Sequence, residues 1–198
     1  MALPSLAPPP ALRRPRVLVV GTTFASVAVV MLFAGMVGTY LFARAAVLSS
    51  GGSWLPDGAE IPLTQPNVMM LGLIMSSITM QWAVSAVRAD DRPNTYLALG
   101  LTLVLGLAYL NMAAYLYSLM GLDIDTSESS VLIYAITGAH LVMALAAMFF
   151  AGFMAFRALA GQYTSRQHDG ISAAALFWHV MVALYALIWI AIYVTVDL

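Results

Sequence analysis

The chain has no cysteine and no lysine, and charged residues make up only 9% of its 198 positions. Without cysteine there are no disulfides, thiolate metal sites, iron–sulfur ligation or cysteine nucleophiles. A soluble domain carries about 25% charged residues. The shortage of charge, the 62% share of hydrophobic residues and the mean hydropathy of +0.91 therefore assign the chain to the membrane. The sequence also lacks a nucleotide-binding loop, a Ser/His/Asp set and any pair of neighbouring intramembrane carboxylates. A net charge of −1 points to no particular partner, and no nucleic-acid partner is expected.

What the chain does have is long apolar runs. Five exceed the ~18 predominantly apolar residues that mark a spanning helix, at about 17–43, 68–87, 97–120, 131–156 and 171–196. Backbone in lipid must satisfy its own hydrogen bonds, so such runs become helices. The expected fold is an all-α membrane bundle of five helices over 17–198, preceded by a proline- and arginine-rich tail at 1–16. The run after Arg16 is too long for the ~7–15 residue core of a signal peptide, so an uncleaved first helix is expected.

Turn signals separate the runs. Ser49 to Ser53 and Pro56-Asp57-Gly58 fill the first connection, and Asp90 to Asn94 the second. Pro66-Asn67 is expected to cap the second helix, and Ser129 or Ser130 the fourth. Arg13, Arg14, Arg16, Arg88, Arg92, Arg157 and Arg166 fall on one side of a five-helix arrangement, whereas Arg44 falls towards the other with Asp57, Glu60, Asp123, Asp125, Glu128 and Asp197. The positive-inside rule then sets the N-terminus in the cytoplasm and the C-terminus outside.

Small residues mark expected helix–helix seams: Ala144, Ala147, Ala151 and Ala155 in helix four, His179, Ala183 and Ala186 in helix five, Gly35 and Gly38 in helix one, Gly100 and Gly106 in helix three. Asn111 and Gln81 are expected to bond between helices. His140 and His179 lie well inside the spans, roughly 15 Å and 13 Å from opposite faces at about 1.5 Å per residue, and an intramembrane ionisable group marks function by default. One reading makes them axial ligands of a haem, as in a small bis-histidine b-type cytochrome, or ligands of a metal. The plainer reading, which we favour, is that each is neutral and bonded to a backbone carbonyl or to a hydroxyl such as that of Thr137 or Tyr134. With no Asp or Glu inside any span, a proton relay is disfavoured. The aromatic series Trp178, Tyr185, Trp189 and Tyr193 reads as packing plus an interfacial belt.

A family resemblance rests on the order of several short stretches. These are Met31-Leu32-Phe33-Ala34-Gly35 and Tyr40 to Ala45 in helix one, Ser76-Ser77 with Gln81 in helix two, and Leu105 to Tyr109 in helix three. Helix four adds Tyr134 with Thr137-Gly138-Ala139-His140, and helix five Trp178-His179. Over about residues 27–196 the chain resembles subunit III of the haem–copper cytochrome c oxidases, in the short five-helix bacterial form. The resemblance implies an accessory subunit of an oxidoreductase complex in the bacterial plasma membrane. It would have no catalytic residue, metal or cofactor of its own, and would pack on the catalytic subunit I beside bound phospholipid, with haem and copper held by partner subunits. A related quinol oxidase, nitric oxide reductase or respiratory supercomplex is the alternative setting. The family-matched structural or lipid-cleft candidates are Arg44, Tyr109, His140, Trp178 and His179. Where the family carries glutamates in the first and third of these helices this chain has Val29 and Leu110, which puts any part in proton uptake in doubt.

Overall fold

The computed structural model describes residues 16–124 and 127–195. The tail at 1–15 with Arg13 and Arg14, the loop residue Asp125, and Val196 and Asp197 at the C-terminal end lie outside the described residues. Five helices fill nearly all of the rest: α1 Val17–Ser49, α2 Thr64–Arg88, α3 Arg92–Leu119, α4 Glu128–Leu159 and α5 Asp169–Ile188, the last continued by a π-helical turn over Trp189–Val194. Each is long and apolar enough to cross a bilayer.

Helices α1 to α4 overrun the lengths that hydropathy alone suggested, because local chemistry at their ends, rather than the limit of the apolar run, stops them. Helix α1 runs to Ser49 rather than 43. Gly51, at φ +79, gives its N–H to the Leu48 carbonyl while Gly52 bonds back to Val47. That pair of bonds is the Schellman ending, which consumes orphan carbonyls of the last turn. Gly161 and Gln162 end α4 in the same way, on Ala158 and Arg157. Asp90 does it for α2 at φ +55, a left-handed conformation that aspartate tolerates better than most side chains.

Two expected caps are corrected. Helix α2 starts at Thr64 with no side-chain cap, and Pro66 sits inside its first turn, where a missing N–H costs nothing. Helix α4 is capped by Ser127, whose Oγ accepts from the Ser130 N–H at 3.1 Å, with Glu128 in the first turn. Asp91 caps α3 through the Asn94 N–H, so the second connection is only the short turn between Arg88 and Arg92.

Helix α5 is the hub of the bundle. It packs on α1, α2 and α4, while α2 and α3 form an antiparallel hairpin and α3 leans on α4. Half of α5's most apolar stretch is buried inside the chain, against 17% of α1's. The buried stripe of α1 is Phe33, Val37, Tyr40 and Ala43. Gly35 and Gly38 face outwards and touch nothing, so they are not a seam of this bundle. Gly100 is likewise exposed. Gly106 is different, since a Cβ there would stand 2.8 Å from the Trp178 ring. On α4 the expected alanine seam is present, with Ala144, Ala147 and Ala151 buried and Ala155 half-buried.

Candidate functional site

The polar groups of the bundle interior gather around α5. His140 projects from α4 into the junction of α1, α3 and α5 and is 1% exposed. Its Nε2 lies 3.0 Å from the Met181 carbonyl oxygen, which can only accept, so Nε2 carries the proton. Nδ1 therefore accepts from the Tyr109 hydroxyl, 2.7 Å away on α3. Phe33 meets the ring edge-on at 6.0 Å, and Tyr185 leans against it at 5.5 Å. The Tyr185 hydroxyl donates to the Pro66 carbonyl at 3.2 Å, which draws in α2. One histidine, two tyrosines and one phenylalanine thus tie all five helices together.

The π turn shapes the far wall of this cluster. A turn closed by i→i+5 bonds takes up an extra residue, which shifts the register of everything after Ile188. Tyr193, 2% exposed, is consequently turned into the bundle, lining the same small void as Tyr109, Tyr117, His140 and Tyr185. Tyr117 donates to Thr137 at 2.8 Å, and Tyr134 to the Leu122 carbonyl. Thr137 and Tyr134 are thereby engaged elsewhere and are not the partners of His140.

Trp178 is fully buried one turn closer to the start of α5. Its indole N–H donates to Ser76 Oγ on α2 at 3.0 Å, and its ring fills the gap opposite Gly106 on α3. Nearby, Thr79 and Thr102 share a 2.8 Å hydrogen bond that links α2 to α3. Arg44, near the end of α1, donates through its guanidinium to the Thr195 carbonyl, just after the π turn.

His179 behaves otherwise. It stands about 100° around α5 from Trp178 and is half-buried on the seam with α2. Ser77 Oγ is 2.6 Å from its Nδ1 and Gln81 Oε1 3.3 Å from its Nε2. The expected small-residue face around it is not a buried seam: Ala183 is exposed and Ala186 half-buried, whereas Ala173, Ala174, Ala175 and Ala191 are the buried alanines of this helix and its π turn. Gln81 does bond between helices. Asn111, by contrast, is exposed and has no side-chain hydrogen bond among the described residues.

The two intramembrane histidines are therefore not brought together. They share no bonding partner, and all four ring nitrogens are engaged within the chain, an arrangement that leaves neither ring a lone pair for axial ligation. Of the family-matched candidates, Tyr109 and His140 meet directly, Trp178 lies in the adjoining layer, and Arg44 and His179 stand apart. Tyr185, which the sequence places only in an aromatic packing series, Ser76, which it places only in a family stretch, and the Met181 carbonyl complete the cluster. Their partners become visible only once α5 is placed against three helices at once.

A separate apolar groove of about 330 Å³ opens between α2 and α3, lined by Met69, Leu71, Gly72, Met75, Leu105 and Ala108 among others. Tyr109 is the only one of the candidates that reaches it. At the end of the bundle where α1 begins, the connections are tied by an Asp90 carboxylate accepting from the Ser165 N–H at 2.6 Å and by an Arg16–Asp169 ion pair at 3.6 Å.

Comparison with known proteins gives one consistent answer. The profile of the cytochrome c oxidase subunit III family matches residues 15–197. The cytochrome c oxidase subunit 3 of Thermostichus vulcanus is 24% identical over 165 residues, covering 83% of this chain and 80% of that protein. That of Synechocystis is 26% identical over 164 residues, covering 82% and 69%. A probable cytochrome c oxidase subunit 3 of Mycobacterium tuberculosis is 29% identical over 188 residues, covering 93% and 89%.

Proposed function

The chain belongs to the cytochrome c oxidase subunit III family, and we propose that it is a non-catalytic, scaffolding subunit of a haem–copper terminal oxidase that packs on the catalytic subunit and holds phospholipid. The observation that carries this reading is the closure of the polar interior. His140, Tyr109, Tyr185 and Trp178 spend their hydrogen bonds on other helices of the same chain. Such bonds are worth about 0.6 kcal/mol each on average in a membrane, and they fix helix positions rather than present reactive groups.

Val29 and Leu110, which the resemblance matches to glutamates of the family, are half-buried among apolar neighbours. Within the described helices, Glu128 and Asp169 both lie in first turns. Among the described residues no acid stands at mid-membrane, which supports a mechanical part, that of holding the oxidase together. The α2–α3 groove, about 330 Å³ in volume and lined by apolar residues, supports the lipid assignment. Arg16, Arg88, Arg92, Arg157 and Arg166 cluster at the bundle end where α1 begins, opposite Arg44, which supports a cytoplasmic N-terminus in a bacterial plasma membrane. The reading as a bis-histidine cytochrome is opposed by the engaged ring nitrogens.

The test is purification of the tagged chain from native membranes in mild detergent. The expected result is a stoichiometric complex with a large haem–copper subunit, oxidising cytochrome c rather than quinol, and loss of all haem absorption from the chain once it is stripped off. A haem-free homo-oligomer recovered alone overturns the assignment, and an α-band that stays with the stripped chain revives the cytochrome reading. The subunit list of the same preparation also reports whether the oxidase travels in a supercomplex.

A further inference from the structure

Among the described residues most polar contacts of the membrane interior are closed on themselves, and of the two amides exposed deep within the helices Asn111 has no side-chain hydrogen bond whereas Gln81 is held by a neighbouring helix. Ser77, His179 and Gln81 form a hydrogen-bonded row along the α2–α5 seam, and its last member, Gln81, is exposed on the bilayer-facing side. With the Gln81 carbonyl oxygen turned to the ring, His179 Nε2 donates to it and Nδ1 accepts from the Ser77 hydroxyl. The Gln81 amide nitrogen keeps two N–H donors that find no acceptor among the described residues. Gln81 lies seven residues from Arg88, so about 10 Å in from that helix end. At that depth acyl chains offer no acceptor and there is no water, and an unmet amide is costly. The side chain is too short to lift its amide to the interface.

The residues around it form a pattern. Leu71, Ile74, Ile78, Gln81 and Ser85 are all exposed, and their spacing of three, four, three and four is that of the seam along which two helices pack knobs-into-holes. Ser85 spends its hydroxyl on the Gln81 backbone carbonyl at 3.1 Å, which leaves Gln81 as the polar side chain of the seam with free donors, and one such residue fixes register and selects the partner. Resting on the reading of the chain as one subunit of a larger oxidase, the geometry points to this α2 stripe as the docking surface for a transmembrane helix of a partner subunit. That helix presents a hydrogen-bond acceptor (a hydroxyl, a side-chain amide or a carboxylate) level with Gln81. His179 and Ser77 act behind it as positioning residues, holding the Gln81 carbonyl so that its N–H groups face outwards.

The experiment uses the intact complex in native membranes, with p-benzoylphenylalanine in place of Gln81 and, as a second site, in place of the 80% exposed Phe149 on α4. Irradiation followed by mass spectrometry is expected to give, from position 81, an adduct with a membrane-spanning peptide of another subunit that position 149 does not label. In parallel, Gln81→Leu is expected to lower recovery with the large subunit about tenfold, the equivalent of one well-made membrane hydrogen bond, while the free chain stays monodisperse. Adducts with lipid or detergent alone at position 81, or full recovery of Gln81→Leu in the complex, overturn the docking surface. A chain that meets no haem–copper subunit in any form instead overturns the functional reading beneath it.

Discussion

His140 and His179 look alike in the sequence, each a lone histidine in a long apolar run, yet they occupy opposite kinds of place. His140 is sealed where four helices converge, with one nitrogen donating to Met181 and the other accepting from Tyr109. His179 sits on an edge, paired with Ser77 and with a glutamine exposed towards the bilayer. The difference teaches that hydrophobic surroundings in sequence do not fix what a polar group is for. A group whose bonds are all met inside the chain serves the fold. One whose bonds run outwards serves the assembly, because in lipid every donor must find an acceptor somewhere.

The sharpest way to break this comparison is to remove the sealed histidine. His140→Leu leaves the Tyr109 hydroxyl buried without a partner and should cost about 2–3 kcal/mol, seen as a lowered midpoint of thermal unfolding in detergent. An unchanged midpoint would show that the cluster is not structural. The layer beneath it should respond to Gly106→Ala, whose Cβ meets Trp178 at 2.8 Å. Overpacking of this kind costs about 1–3 kcal/mol. Gly35→Ala on α1 is the matched control, with nothing within 4 Å, and should leave the isolated chain as stable as before or slightly more so. Ser76→Ala removes the acceptor of the Trp178 indole and should cost about 1 kcal/mol, with a shift in tryptophan emission.

The smallest effect concerns the loops. Hydrogen bonds from Ser165 hold the Asp90 carboxyl below its ordinary value of 3.8. A carboxyl lowered by folding stabilises above the unfolded pKa, and that contribution is lost as pH falls through the folded value. Protection of the Ser165 amide, measured against its intrinsic exchange rate at each pH, should therefore fall only below about pH 4. Asp90→Asn should remove this pH dependence, and an exchange rate with the same acid response in the variant would exclude Asp90 as its cause.

Much of this architecture was legible in the sequence, because spanning helices are dictated by run length and little else. The existence of five helices follows from the length of the apolar runs, and the alanine seam of α4 from the spacing of its small residues. Helix ends were less legible: at Ser49 and Leu159 they are set by a left-handed glycine beyond the apolar run. The glycines of α1 illustrate a different gap. A small residue permits close approach but does not say whether anything approaches, and Gly35 and Gly38 are bare where Gly106 is filled. Ala183 and Ala186, on the same helical face as His179, suggest a buried seam there. That face proves to be an edge, and only the placement of α2 against α5 reveals it. Nor does the π turn that brings Tyr193 into the bundle leave a mark in the local residue pattern of Trp189–Val194.

The most direct test of the division between fold and assembly is a single fluorescence-detected size-exclusion profile of solubilised membranes, run for the tagged chain and for His140→Leu and Gln81→Leu. The profile resolves the oxidase complex, the folded free subunit and aggregate. Gln81→Leu should move signal from the complex to the folded free subunit, and His140→Leu from the complex to aggregate. Identical redistribution in the two variants would contradict the account.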